Sequence, residues 1–219
     1  MKEMKSVPLN KELYNYILDT FVEKDPLLDE LIVETEKAEI PLIQVAPEQG
    51  KFMYLLCRMA RAKNALEIGT LTGFSGMYIA RGLEDGGKLT TVDIEEKNSA
   101  LAGVYFKKAG LGDKVERIVG DAVSVMENLV ADGKKFDFIF IDADKISYPK
   151  YFEFALQLSN TGTVIAFDNM IKDGRVIEDA SGDPDLRGIQ VTNDLMGTDP
   201  RIESLLVPIG DGLTVGVVK

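Results

Sequence analysis

Apolar residues recur at positions 13, 14, 17, 18, 21 and 22 of the run LNKELYNYILDTFVEK, which places them on one side of a helix. Asp25-Pro26 opens a second helix reaching Lys37, with Asp as the cap and Pro at the first helical position, where it has no N–H to lose. Ile40-Pro41 ends it. Ala46-Pro47-Glu48 starts a third, and Phe52, Leu55, Leu56 and Met59 are predicted to share its buried face. From residue 63 the period changes. NALEIG (64–69), KLTTVD (88–93), KVERIVG (114–120), FDFIFID (136–142) and GTVIAFD (162–168) read as strands. Helical patterns over 74–83, 95–109, 122–132 and 148–158 separate them. Such alternation predicts parallel strands joined by right-handed crossovers, with helices on both faces of the sheet. A polar stretch after 168 leads to a helix near 185–197. RIESLLVPIGDGLTVGVVK then reads as two strands joined by a tight Gly-Asp-Gly turn, an antiparallel pair. No repeat or linker interrupts the pattern. The chain therefore reads as a single α/β domain over 1–219, with N-terminal helices in 1–61 and the core in 62–219.

Composition narrows the chemistry. The 219 residues suffice for one substantial core. Lys and Arg total 25 against 36 Asp and Glu, a net charge of −11 that repels phosphate backbones and disfavours a nucleic-acid partner. Histidine is absent, which removes Ser-His-Asp and Cys-His mechanisms and any imidazole zinc site. Cys57 is the only cysteine and sits among apolar residues, so it reads as a buried small hydrophobe. A general base must be Asp, Glu, Lys, Tyr or Cys. A metal site must be oxygen-rich, which suits Mg2+, Ca2+ or Mn2+. The start, MKEMKSVPLNKE, lacks the apolar run of a signal peptide, and no stretch has the length of a membrane span. A cytoplasmic location is expected.

In open α/β sheets, ligands bind beyond the carboxyl ends of the strands. The first strand ends in Glu67-Ile68-Gly69-Thr70-Leu71-Thr72-Gly73-Phe74-Ser75-Gly76, a loop whose glycines allow close approach to a ligand. It is neither G-x-G-x-x-G nor a Walker loop, and an ordinary Gly-rich turn would look the same. Asp93, at the tip of the second strand, suits a ribose diol because a carboxylate accepts both hydroxyl protons. Asp121, after the third, is either a helix N-cap or an acceptor for an adenine amino group. The fourth strand runs abruptly from FDFIFI into Asp142, Asp144 and Lys145, and the fifth ends in Asp168-Asn169. Crowded carboxylates repel, and a divalent cation held by Asp142, Asp168 and Asn169 would relieve that repulsion. A chance cluster of solvated strand ends is the alternative.

LEIGTLTGFS, TVDI, VGDA, FDFIFIDADK and AFDN, in this order, resemble the cation-dependent O-methyltransferases of the caffeoyl-CoA and catechol type. These belong to the class I S-adenosylmethionine-dependent methyltransferases. The likeness extends from LYNYIL and APEQGKF to DPDLRGIQ and PIGDGLTV. It implies a Rossmann-like, seven-stranded, mostly parallel sheet with the last strand antiparallel, and a homodimer. It implies Mg2+, Mn2+ or Ca2+ on Asp142, Asp168 and Asn169, and Lys145 as general base. It implies S-adenosylmethionine near Val45, Glu67, Gly69, Thr70, Ser75, Asp93, Asp121, Ala122, Asp142 and Asp144. The acceptor implied is an aromatic small molecule with a vicinal diol.

Three segments depart from the family pattern. Met170-Ile171-Lys172 follows the Asp-Asn pair where many relatives carry tryptophan, and this chain has none. Ile189-Gln190 stands where bacterial relatives often have Arg, and Ile146-Ser147-Tyr148 replaces the commoner Asn-Tyr pairing. Lys5-Ser6 resembles a pair with which plant members approach the coenzyme A ester, an N-terminal lysine without that role being the alternative. Competing readings are methylation of a hydroxylated RNA base, a nicotinamide-dependent oxidoreductase and a non-catalytic binding module. The charge disfavours the first. The glycine spacing and the Asp-Asn pair disfavour the second, and the intact DADK and DN runs disfavour the third.

Overall fold

The computed structural model describes residues 7–219. Lys5 and Ser6 lie outside the described residues. Three helices come first: α1 (Lys11–Phe21), α2 (Pro26–Lys37) and α3 (Pro47–Met59). Asp25 caps α2 by accepting from Leu27 N at 2.9 Å, with Pro26 beginning the helix. The apolar stripe of α1 is only partly covered, and Phe21 remains 62% exposed. On α3 the expected face is corrected. Gln49, Gly50, Met53, Leu56 and Cys57 are buried, whereas Leu55 and Met59 are exposed. The helix turns its small residues inward because it packs closely on α4 (Phe74–Gly82), where a side chain at Gly50 would strike the Tyr78 ring.

The remaining elements alternate as the pattern predicts. They are β1 (Asn64–Ile68), β2 (Lys88–Asp93), α5 (Glu96–Lys108), β3 (Val115–Val119), α6 (Ala122–Ala131), β4 (Phe136–Ile141), α7 (Tyr148–Gln157), β5 (Ser159–Phe167), α8 (Pro184–Thr198), β6 (Ile202–Val207) and β7 (Leu213–Val218). A 3-10 turn at Lys145–Ser147 precedes α7, and another spans Arg175–Ile177. The seven strands form one sheet in the order β3-β2-β1-β4-β5-β7-β6. All neighbours are parallel except the pairs made by β7, which is antiparallel to both β5 and β6. β5 begins three residues earlier than expected, and its pairing with β4 is irregular between Phe136 and Phe138.

The continuous apolar run of β4 follows from coverage on both faces. Phe138 and Phe140 join one cluster with Met53, Met77 and Phe106; Ile139 and Ile141 join the other with Tyr148, Phe152 and Ile189. Register then levels the strand ends. Ile68 pairs with Ile141, and Ile141 with Phe167. One further bond carries each ladder past the strand, from Asp142 N to Ile68 O at 2.8 Å and from Asp168 N to Ile141 O at 3.1 Å. Strand order reverses at β1 and β4, the switch point where α/β sheets bind ligands. Gly69 is required there. Its φ is +97°, and a Cβ would overlap the carbonyl oxygen of Asp142.

Candidate active site

A cavity of about 760 Å³ opens over the carboxyl ends of β1, β2, β3 and β4. Its walls include Val45, Gly69, Thr70, Ser75, Asp93, Asp121, Ala122, Asp142, Asp144, Lys145 and Asn169. Two expected site residues do not line it. Glu67 is fully buried, and Asp168 is 3% exposed beside Asn169.

Glu67 acts from below. Its carboxyl accepts from Ser75 Oγ and Thr91 Oγ1, both at 2.6 Å. Thr91 also meets Thr70 Oγ1 at 2.5 Å, so one buried group ties the glycine loop to β2. Burial pushes the Glu67 carboxyl up to about 7, against the two hydroxyl bonds. Asp93 is fixed by backbone: Oδ2 accepts from Leu71 N at 2.7 Å and Oδ1 from Glu95 N at 2.9 Å. Asp121 is the helix N-cap its position allows. It caps α6 through Ser124 N at 2.9 Å and also lines the cavity. The Ser124 bonds hold its carboxyl below the usual range.

At the other end, Lys145 Nζ donates to Asp142 Oδ1 and to Tyr148 Oη, each at 2.7 Å. Tyr148 Oη in turn donates to the Asp168 carbonyl at 3.1 Å. Burial pushes this phenol well up, with help from the charges of Asp142 and Asp168. Asp144 accepts from Tyr151 Oη at 2.5 Å, so Asp142 and Asp144 face different partners. Asp168 Oδ1 accepts from Gln49 Nε2 at 2.5 Å. Burial first, then the charge of Asp142, raises the Asp168 carboxyl. Asn169 has a left-handed φ of 56°, as do Lys172 (52°) and Asp173 (54°), so the segment after β5 is sharply turned. Lys172 and Asp211 also line the cavity.

The candidate donors expected at this end are Asp142, Asp168 and Asn169. Two like charges, one of them buried, sit beside a carboxamide, and all three offer hard oxygens that suit a divalent cation. Among the described residues no group of three or more His, Cys, Asp or Glu side chains could hold a metal, so such a site depends on the Asn169 amide.

Sequence reasoning passed over Gln49 and Tyr151, and treated Tyr148 only as part of a departure from a pattern. Tyr148 carried a signal, since it stands three positions after Lys145 at the start of a helix. Gln49 carried none.

A family model described as O-methyltransferase matches residues 18–219. The chain belongs to this family. A catechol O-methyltransferase of Niastella koreensis is 38% identical over 94% of this chain and 96% of its own. A caffeoyl-CoA O-methyltransferase of Eucalyptus gunnii is 36% identical over 96% and 89%. An O-methyltransferase from Bacillus cereus, solved in complex with SAH, superposes with a TM-score of 0.89 at 39% identity, covering 94% of this chain and 96% of that one. Each likeness runs through both the N-terminal helices and the sheet. The match over 18–219 thus covers every residue that lines the cavity. No helix among the described residues is long and apolar enough to cross a membrane.

Proposed function

We propose that this O-methyltransferase transfers a methyl group from S-adenosylmethionine to one hydroxyl of an aromatic vicinal diol, with a divalent cation, Mg2+ first, on Asp142, Asp168 and Asn169. The relative solved with SAH and the relatives named for catechol and caffeoyl-CoA support the donor and the acceptor class. The observation that carries the reading is Lys145. Its amine lies 2.7 Å from Asp142 on the wall of a cavity whose far end holds Asp93 and Asp121.

The chain's own groups divide the work. Asp93 accepts the ribose hydroxyls, its carboxylate held in place by the Leu71 and Glu95 amides. Asp121 and Ala122 receive the adenine, and Gly69 lets the backbone come close to the donor. A bound divalent cation would supply Lewis acidity that anchors both hydroxyls and acidifies one of them. Lys145 takes the proton of the reacting hydroxyl, and the oxygen forms its bond to the methyl carbon as the carbon–sulfur bond breaks. Tyr148 and Asp142 hold the amine from two sides, which keeps it in reach. The reading includes a homodimer, for which light scattering should give twice the chain mass.

The test is methyl transfer to a panel of catechols, caffeoyl esters and matched monohydroxylated rings. Diols should react and lone phenols should be poor, because one hydroxyl cannot occupy two cation positions. Chelator should abolish turnover, and Mg2+ or Mn2+ should restore it. Equal rates on phenols, or full activity after exhaustive chelation, would remove the metal from the reading.

A further inference from the structure

Gln49 stands at the centre of APEQGKF, 119 positions before Asp168, and is 2% exposed. A buried carboxamide needs partners for its donors and its acceptor. Its Nε2 donates to Asp168 Oδ1 at 2.5 Å. Its Oε1 lies against Gly210 in the loop between β6 and β7, where any side chain would overlap that oxygen. Gly210 has a φ of +55°, so both its backbone and its lack of a Cβ accommodate the amide. Three segments remote in sequence therefore meet at one side chain: α3, the end of β5 and the β6–β7 loop.

We infer that Gln49 is a positioning residue for the candidate cation site, its amide fixing the orientation of the Asp168 carboxylate. The inference rests on the metal-assisted reading above. All three proposed donors come from strand ends, and a carboxylate without an outer partner rotates about its last torsion. An amide on Oδ1 removes that freedom before a cation arrives, and partners of this kind set metal affinity. The N-terminal helices then complete the site without lending it a ligand. A bond that merely pinned α3 to the sheet would affect stability and leave cation affinity alone.

The experiment is calorimetric or paramagnetic titration of the full chain with Mn2+, in the presence of SAH. Gln49→Leu keeps the bulk and deletes the donor. Mn2+ affinity should fall roughly 10- to 100-fold, with SAH affinity unchanged. Gln49→Glu keeps the size and sets a second carboxylate against Asp168, so Mg2+ should raise its Tm more than it raises that of the unmodified chain. Unchanged Mn2+ affinity in Gln49→Leu overturns the inference and leaves the metal reading standing. If the unmodified chain itself binds no Mn2+, the metal reading fails and takes the inference with it. Should Gln49→Leu not fold, the Tm of Gln49→Glu decides: an ordinary response to Mg2+ overturns the inference, and an enlarged one supports it.

Discussion

Lys145 has two neighbours that hold its amine and a cavity that it faces, so its removal should act on rate and not on donor binding. Lys145→Ala should lower kcat by about 10²- to 10⁴-fold, with S-adenosylmethionine affinity in calorimetry little changed. Lys145→Arg should not rescue it, since guanidinium stays protonated. Near-normal turnover in Lys145→Ala, with chemistry limiting, would remove it as the base. Glu67 makes a different prediction, about stability. Its carboxyl is raised from 4.5 to about 7 by burial. Below pH 4.5 folded and unfolded chains both hold the proton. As pH climbs from there to about 7 the unfolded chain ionises first, so stability falls by about 3 kcal/mol and then levels. Glu67→Gln should lose that part of the slope in urea unfolding between those pH values. An unchanged slope would mean that Glu67 ionises as easily folded as unfolded. The residues at strand tips were legible in the sequence because strand alternation reveals where each strand stops, and ligands gather there. Gln49 was not. Its partner lies 119 positions away, and nothing local distinguishes a satisfied buried amide from an exposed one.

Elements were legible where period and punctuation agreed. β2 keeps its expected bounds, and the five helices expected after residue 63 end within a residue or two of their predicted limits. The inward face of α3 was not legible. Counting apolar residues favoured Leu55 and Met59, but close packing on α4 selects the glycine-bearing side. The same principle governs α8, whose Gly188 lies so near the 3-10 turn at Lys145 that a Cβ would overlap the Lys145 carbonyl oxygen. In an ordinary helix interior Gly→Ala gains about 1 kcal/mol. Here Gly188→Ala should instead cost roughly 1–3 kcal/mol in thermal unfolding, as overpacking does. It should also slow methyl transfer, because the displaced turn carries the proposed base, Lys145. A variant more stable than the parent and equally active would show that α8 can give way.

Across the whole molecule the −11 charge is not evenly used. Asp93, Asp121, Asp142, Asp144 and Asp211 line the cavity, against Lys145 and Lys172. A cavity whose lining carries an excess of one sign of charge focuses field on its contents. The methyl donor carries a sulfonium that its demethylated product lacks. Raising salt from about 0.05 to about 0.5 M should therefore weaken S-adenosylmethionine several-fold relative to SAH in calorimetry. An affinity ratio indifferent to salt would assign the discrimination to short-range contacts. The sheet's outline was legible, since alternation announces parallel strands and the Gly-Asp-Gly segment announces the final pair. The placement of β7 between β5 and β6 was not legible: the resemblance implied only that the last strand is antiparallel, and strand order leaves no local mark.

That placement has a consequence for how the protein is made. β7 follows both of its partners in sequence, and it alone joins β6 to the rest of the sheet. While the chain emerges from the ribosome, β5 has a bare edge and β6 has no partner. Both wait for β7, which follows them in the chain. An unpaired hydrophobic edge invites pairing with another chain. The open edge of β5 therefore persists until β7 has been made, and a strand that follows both of its partners in the chain is the one that seals them.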